Sequence, residues 1–128
     1  MSKGGNYLAI DIGAESGRLV LGSLSGGRLS TEEVYRFANE PVWYGGHLHW
    51  DLPRLLLECQ RGIEAAARKT DGRLNTIGVD TWGLDFALLS ESGALLDNPV
   101  HYRDPRNNGM MERVWQIVPP EEIYAATG

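Results

Sequence analysis

Asp11, Gly13, Ser16, Gly17 and Arg18 stand close together in the run Asp11-Ile12-Gly13-Ala14-Glu15-Ser16-Gly17-Arg18. These residue types suit the gripping of an anion. Glycines let successive backbone amides converge, and the Ser16 hydroxyl adds a donor. Arg18 offers a fork of donors, either to a phosphate or to a structural carboxylate. Asp11, at the end of an apolar run, is placed to hold Mg²⁺ through water beside such phosphates. Glu15 acts in the opposite sense, because its carboxylate repels phosphate unless a metal or solvent lies between. Asp80 closes a second apolar run, where it is either a site residue at a strand end or the cap of the following turn. Taken alone, the Asp-x-Gly at residues 11–13 is equally a strand entering a tight turn.

The segment after the turn decides between kinds of phosphate loop. A dinucleotide fold needs a glycine-rich turn leading into a helix. Here Leu19-Val20-Leu21 continues as an apolar strand and reaches a second turn at Ser25-Gly26-Gly27. No Gly-Lys-Ser/Thr follows the glycines, so a P-loop is excluded as well.

The elements around this loop read as three antiparallel strands, 7–12, 18–24 and 28–37, with turn chemistry between them. Residues 38–50 read as a loop with a short extended piece. Asp51 is a helix N-cap with Pro53 in the first turn. Leu52, Leu55, Leu56, Cys59, Ile63, Ala66 and Ala67 then recur at the spacing of one helical face. Asp71-Gly72 ends that helix, and 76–80 is a buried strand, read as central. A hairpin of 86–89 with 94–96, a helix over 108–118 and a short helix over 121–127 follow. The order is β-β-β-α-β, with no internal repeat and no linker.

Composition narrows the function classes. The 128 residues suit one domain, and 42% hydrophobic with 23% charged residues is ordinary for a soluble globular chain. The formal net charge of -5 and the lack of a basic stripe argue against a nucleic-acid partner. No apolar run approaches the roughly 20 residues of a membrane span. Met1-Ser2-Lys3-Gly4-Gly5-Asn6 lacks the apolar stretch of a secretory signal, and Cys59 is the single cysteine. The expected compartment is the cytoplasm.

The assembled pattern resembles the FGGY carbohydrate kinases. The resemblance rests on the run 11–18, on Trp50-Asp51, on Ile77-Gly-Val-Asp-Thr-Trp-Gly-Leu-Asp-Phe86, and on Pro99-Val-His-Tyr-Arg-Asp-Pro-Arg106. It implies an α/β, ribonuclease H-like (actin-like ATPase) domain with a mixed sheet. It also implies ATP-dependent phosphorylation of a ketose, with ATP and Mg²⁺ as cofactors and a small sugar as substrate. Gly13, Ala14, Glu15, Ser16, Gly17 and Arg18 would then form the ATP-phosphate loop, with Asp11 near the metal. Gly83 would lie at the sugar, with Trp82 and Asp85 beside it. A bare glycine lets a polyhydroxylated ligand reach the main chain, Trp82 could pack on a sugar face, and Asp85 could accept hydrogen bonds from sugar hydroxyls.

Two positions depart from the family pattern. Glu15 stands where small or hydroxyl residues are commoner. Asn107 follows Arg106 where Thr is frequent, so Arg106 is assigned no ligand. In the family the catalytic base, the second domain and the adenine pocket lie further along a longer chain. The expectation is therefore an N-terminal actin-like domain over 1–128 without a catalytic base of its own, inactive in isolation and prone to self-association through uncovered apolar surface.

Among the remaining residues, Cys59 reads as a core thiol. His47 and His49 could share a strand face, but no third ligand has suitable spacing for zinc. His101 reads as a strand-end histidine. Trp43 and Tyr44 either cover a pocket or pack on their own domain. Arg103, Asp104 and Arg106 read as an ion-pair cluster on the rim of a cleft.

Overall fold

The computed structural model describes residues 4–128; Met1-Ser2-Lys3, on which the reading of a missing leader partly rests, lies outside them. Strands β1 (Gly5–Ile12), β2 (Ser16–Ser25) and β3 (Arg28–Ala38) form an antiparallel meander. A short hairpin, β4 (Val42–Tyr44) and β5 (His47–His49), precedes helix α1 (Leu52–Lys69). Strand β6 (Thr76–Thr81) returns parallel to β1 and completes a mixed sheet of order β3-β2-β1-β6.

Gly26 and Gly27, like Gly45 and Gly46, all have positive φ. Two such residues in succession make the two-residue turn whose twist matches a β-hairpin. The same chemistry that predicted β2–β3 therefore also built β4–β5, where a loop was expected.

Alternation along the strands sorts their side chains between the two faces of the sheet. Leu8, Ile10, Leu19 and Leu21 are buried, and α1 covers the inner, β3-ward part of that face. Asp51 caps α1 by accepting from the Arg54 amide at 3.1 Å, and Asp71 and Gly72, both at positive φ, turn the chain away after it. The buried residues of α1 are Leu55, Glu58, Gly62 and Ala66, whereas Leu56 and Leu57 are exposed. The helix is thus rotated from the face its leucines predict. Gly62 causes this, since a Cβ there would lie 2.4 Å from a Leu19 methyl. Glu58 is buried because Tyr35 donates to it at 2.5 Å and Arg61 at 2.9 Å. The same Tyr35 hydrogen bond holds its carboxyl below the usual range against the opposing effect of burial.

Among the described residues β6 lies at the end of the sheet, beside β1, and all six of its residues are exposed, Val79 by 64%. Two other expectations change. The hairpin at 86–96 reduces to a single bridge, Leu89 to Leu95, closed by the turn at 90–93. The helix over 108–118 shrinks to α2 (Met110–Trp115) after a 3₁₀ turn at Pro105–Asn107, because Gly109 stands at positive φ. Helix α3 (Pro120–Thr127) closes the chain. Leu84, Phe86, Leu88 and Ile117 are exposed along this second half. Among the described residues no helix is long and apolar enough to cross a membrane.

Candidate active site

Strands β1 and β6 run parallel, and their carboxyl ends carry the residues singled out by sequence. The register pairs Asp11 with Asp80 and Ile12 with Thr81. Residues paired across neighbouring strands share a face, so both carboxylates stand on the side of the sheet opposite α1. Arg18 pairs with Asp11 across β2 and joins that face, donating from Nε to Asp11 Oδ2 at 2.8 Å. Both side chains of this ion pair are about half exposed, so its worth to stability is small. Two carboxylates and an open, wet surround suit Mg²⁺, which keeps several waters and needs only one or two protein ligands. Among the described residues no group of three or more His, Cys, Asp or Glu could cage a metal. The donor set fits a hydrated ion held by Asp11 and Asp80.

The loop between β1 and β2 is three residues, Gly13-Ala14-Glu15. The Gly13 amide donates to the Ser16 carbonyl at 2.9 Å and is spent on the turn. Asn39, buried, braces the loop from beneath: its Nδ2 donates to the Gly13 carbonyl at 2.9 Å and its amide to the Glu15 carbonyl at 3.0 Å. The amides of Ala14 and Glu15 donate to nothing among the described residues. These two are the donors the loop presents to an anion.

Neither Gly13 nor Gly17 has positive φ, so the loop is not a nest of left-handed glycines. Packing accounts for both. A Cβ on Gly13 would sit 3.1 Å from the Ser16 carbonyl oxygen, and one on Gly17 would sit 2.1 Å from Phe37 Cζ. Gly17→Ala is accordingly expected to cost about 2 kcal/mol of stability through overpacking. Denaturant unfolding checks this, and Phe37→Leu in the same chain should restore most of the loss. An undiminished midpoint would remove the packing explanation.

Sequence reasoning missed Arg36, which stands opposite Arg18 on β3. Its guanidinium grips Glu33 through Nε at 2.9 Å and Nη2 at 2.6 Å, and Nη1 donates to Ser16 Oγ at 3.3 Å. The Glu33 contact raises the Arg36 pKa and holds the Glu33 carboxyl below its usual range. A guanidinium other than that of Arg18 thus reaches the hydroxyl at the loop. Only the cross-strand register reveals this, since the two arginines lie far apart in sequence.

Trp82, Gly83 and Asp85 lie just past β6, at the same strand ends as Gly13. Trp82 turns to the α1 side and packs on the core. Asp85 Oδ2 accepts from Trp50 Nε1 at 2.6 Å and from Trp82 Nε1 at 3.2 Å. Metal-side and tryptophan-side groups therefore face opposite sides of the sheet and meet only at its carboxyl edge. Gly83 sits on that edge with ordinary φ, and nothing lies within 4 Å of where its Cβ would be. The chain's own packing does not demand a glycine there.

Trp50 is 1% exposed, stacks on His101 at 3.9 Å and meets the tilted Trp82 ring at 4.3 Å. Pairing of 48–50 with 99–101 brings this about: the Trp50 amide donates to the Pro99 carbonyl and the His101 amide to that of Leu48. His101 is thus a buried member of an aromatic stack. Burial lowers its pKa, and its Nδ1 accepts from the Arg103 amide, so Nε2 carries the proton. A cavity of about 340 Å³ opens beside Trp50, lined by Ile12, Leu55, Cys59, Trp82 and Asp85. A more polar one of about 450 Å³ lies on the other side of Asp85, bounded by His49, Asp97, Asn98, Tyr102 and Arg106. Burial pushes the Cys59 thiol up, in keeping with a core residue. Tyr44 stacks on His49 at 4.1 Å and donates to Asp97, so it packs on its own domain, while Trp43 is exposed.

The expected ion-pair cluster at 103–106 does not form. Asp104 is 1% exposed and accepts from the Leu48 amide at 2.6 Å and the Arg106 amide at 2.9 Å, with His47 Nδ1 at 3.2 Å. It is a buried staple for β5. Burial opposes the charge, yet these amides and His47 together pull its carboxyl from 3.8 down to about 2. A depressed carboxyl stabilises the fold above its unfolded pKa and loses that contribution as pH falls through the folded one. Stability is thus expected to drop between about pH 4 and pH 2, and Asp104→Asn to flatten that drop. Urea midpoints across the acid range read both effects. An unchanged acid slope in Asp104→Asn would remove Asp104 as its source.

The mixed sheet with its helices has the fold of the N-terminal portion of an actin-like ATPase domain, as it occurs in sugar kinases. A xylulose kinase from Rhodospirillum rubrum superposes with a TM-score of 0.65 at 19% identity, over 91% of this chain and 24% of that one. A gluconate kinase from Lactobacillus acidophilus gives 0.64 at 16%, over 89% and 25%. In sequence the chain is similar to rhamnulokinases: 41% identical to that of Bacteroides thetaiotaomicron over 123 residues and 42% to that of Oceanobacillus iheyensis over 121. These alignments cover 96% and 94% of this chain but 25% and 26% of the relatives. No family model matches. The resemblance to the FGGY carbohydrate kinases, and among them to rhamnulokinases, holds over nearly all of these residues, and the chain spans about a quarter of the length of the curated relatives it matches.

Proposed function

We propose that the protein carrying this chain is an ATP-dependent sugar kinase that phosphorylates L-rhamnulose to L-rhamnulose 1-phosphate. The carrying observation is the pairing of Asp11 with Asp80 at the ends of parallel strands, beside a loop with two unspent amides. Phosphoryl transfer needs positioning and charge stabilisation more than covalent chemistry, and these groups offer both. The 13–18 segment would receive the ATP phosphates through the Ala14 and Glu15 amides and the Ser16 hydroxyl. Arg18 would share its charge between Asp11 and the phosphates. Asp11 and Asp80 would hold a hydrated Mg²⁺, which offsets phosphate charge when bound. Gly83 would receive the sugar at the main chain, flanked by Trp82 and Asp85.

The similarity to rhamnulokinases supports the choice of sugar. The general base and the second domain belong, in this reading, to parts of the protein outside these 128 residues. The chain by itself is then inactive, and it acts as the N-terminal portion of a two-domain ATPase.

An ADP-release assay on the full-length protein with Mg-ATP and a sugar panel tests the reading. Turnover with L-rhamnulose exceeding that with xylulose and glycerol is expected. Turnover on xylulose or glycerol alone rejects the substrate. Nucleotide binding without any sugar-dependent turnover rejects the kinase and favours a non-catalytic actin-like module.

A further inference from the structure

Two features of the Gly83 turn go beyond what filling space within the chain requires. The first is the glycine itself, which has ordinary φ and open space around its missing Cβ. The second is the choice of a carboxylate at position 85. Asp85 borders an apolar cavity lined by Leu55, Cys59, Phe86 and Pro99, where a charge is costly unless it is well paired. A neutral acceptor would serve two indole N–H groups at a smaller desolvation cost. The charged one makes both bonds stronger.

Those bonds close a clamp. Asp85 Oδ2 reaches back to Trp82 Nε1 at 3.2 Å, which pins the two ends of the turn 82–85 together. The same oxygen takes Trp50 Nε1 at 2.6 Å. Trp50 is packed against the Trp82 and His101 rings, and its backbone is tied to Pro99. The turn is therefore fastened to the most deeply buried aromatic of the domain, while its tip, Gly83 and Leu84, stays exposed. An exposed backbone held rigidly by a buried clamp is the arrangement a polyhydroxylated ligand needs to find its hydrogen-bonding partners already placed.

We infer that Trp50 is a positioning residue for the sugar site: through Asp85 it fixes the Gly83 turn against which the hydroxyl-bearing substrate docks. The inference rests on the kinase reading above and assigns Asp85 a holding role, in place of direct contact with a sugar hydroxyl. Nothing in the sequence distinguished Trp50 beyond the Trp50-Asp51 resemblance, since its bond to Asp85 spans 35 residues.

The test uses the full-length protein in the ADP-release assay with L-rhamnulose and Mg-ATP. Wild type is measured first, and absence of any sugar-dependent turnover overturns the kinase reading and this inference together. Given turnover, Trp50→Phe, which keeps the stacked ring and removes the donor, is expected to raise the sugar KM about tenfold. The ATP KM should stay within about twofold, because the phosphate loop is braced separately by Asn39. Trp82→Phe should act in the same direction but less. Asp85→Ala should raise the sugar KM at least as much, and adding Trp50→Phe to it should change nothing further. A sugar KM unchanged in Trp50→Phe, a parallel rise in both KM values, or additive effects in the double variant each overturn the inference while leaving the kinase reading intact. If Trp50→Phe does not fold, Asp85→Asn, which weakens the acceptor of the Trp50 indole, is expected to raise the sugar KM and leave the ATP KM within about twofold, and an unchanged sugar KM overturns the inference.

Discussion

Asp11→Asn in the full-length protein is expected to lower kcat about a thousandfold, the equivalent of about 4 kcal/mol of lost metal-assisted stabilisation. Sugar affinity should be unaffected, because the Gly83 turn is clamped from the other face of the sheet. Stability should also hold, since the Asp11–Arg18 pair is about half exposed and isosteric replacement leaves the strand unchanged. This combination separates two roles that the geometry allows for one residue. If Asp11 serves only to hold Arg18 in place, then Arg18→Lys should reproduce the Asp11→Asn phenotype. If it holds the metal, Asp11→Asn should also weaken the dependence of rate on Mg²⁺ concentration, and Arg18→Lys should not. Steady-state rates across a Mg²⁺ series decide the matter, and a loss smaller than about tenfold would falsify the metal role.

Leu19→Ala is expected to destabilise the domain by about 4 kcal/mol, near the top of the range for a buried leucine. Leu19 is 0% exposed and joins the sheet to α1. Its methyls fill the notch left by Gly62, where a Cβ would come within 2.4 Å of them. The walls of the resulting cavity are helix backbone on one side and strand on the other, so they cannot collapse inward to refill it. Equilibrium unfolding in urea measures the loss. A partial rescue by Gly62→Ala in the Leu19→Ala chain is expected, since the added methyl enters the space vacated. Gly62→Ala alone should destabilise through overpacking. Opposite signs for one substitution in two backgrounds would be difficult to produce by any route other than direct contact.

The chemistry of the loop was legible in Asp11 to Arg18, but the reasons for its glycines were not. Sequence suggested glycines that let successive amides converge on an anion; the structure has Gly17 lying under the Phe37 ring and Gly13 close to the Ser16 carbonyl. A glycine written for close approach and one written for positive φ are identical as letters, and only the neighbours tell them apart. Asp104 shows the same limit. Arginines on either side of it suggest ion pairs, yet its partners are the nearby Arg106 amide and, from more than fifty residues away, the Leu48 amide and His47.

By itself the sequence determined the meander, the helix with its Asp51 cap and Asp71-Gly72 stop, and the exclusion of a dinucleotide fold, because these depend on local periodicity and turn chemistry. It also identified both carboxylates, each at the end of an apolar run. Tertiary structure alone decided that Asp11 and Asp80 stand side by side, that Arg36 joins Arg18 at the loop, and that Trp50 secures Asp85. Strand register and the closure of distant segments set those relations. No residue's own preferences encode which neighbour it will meet.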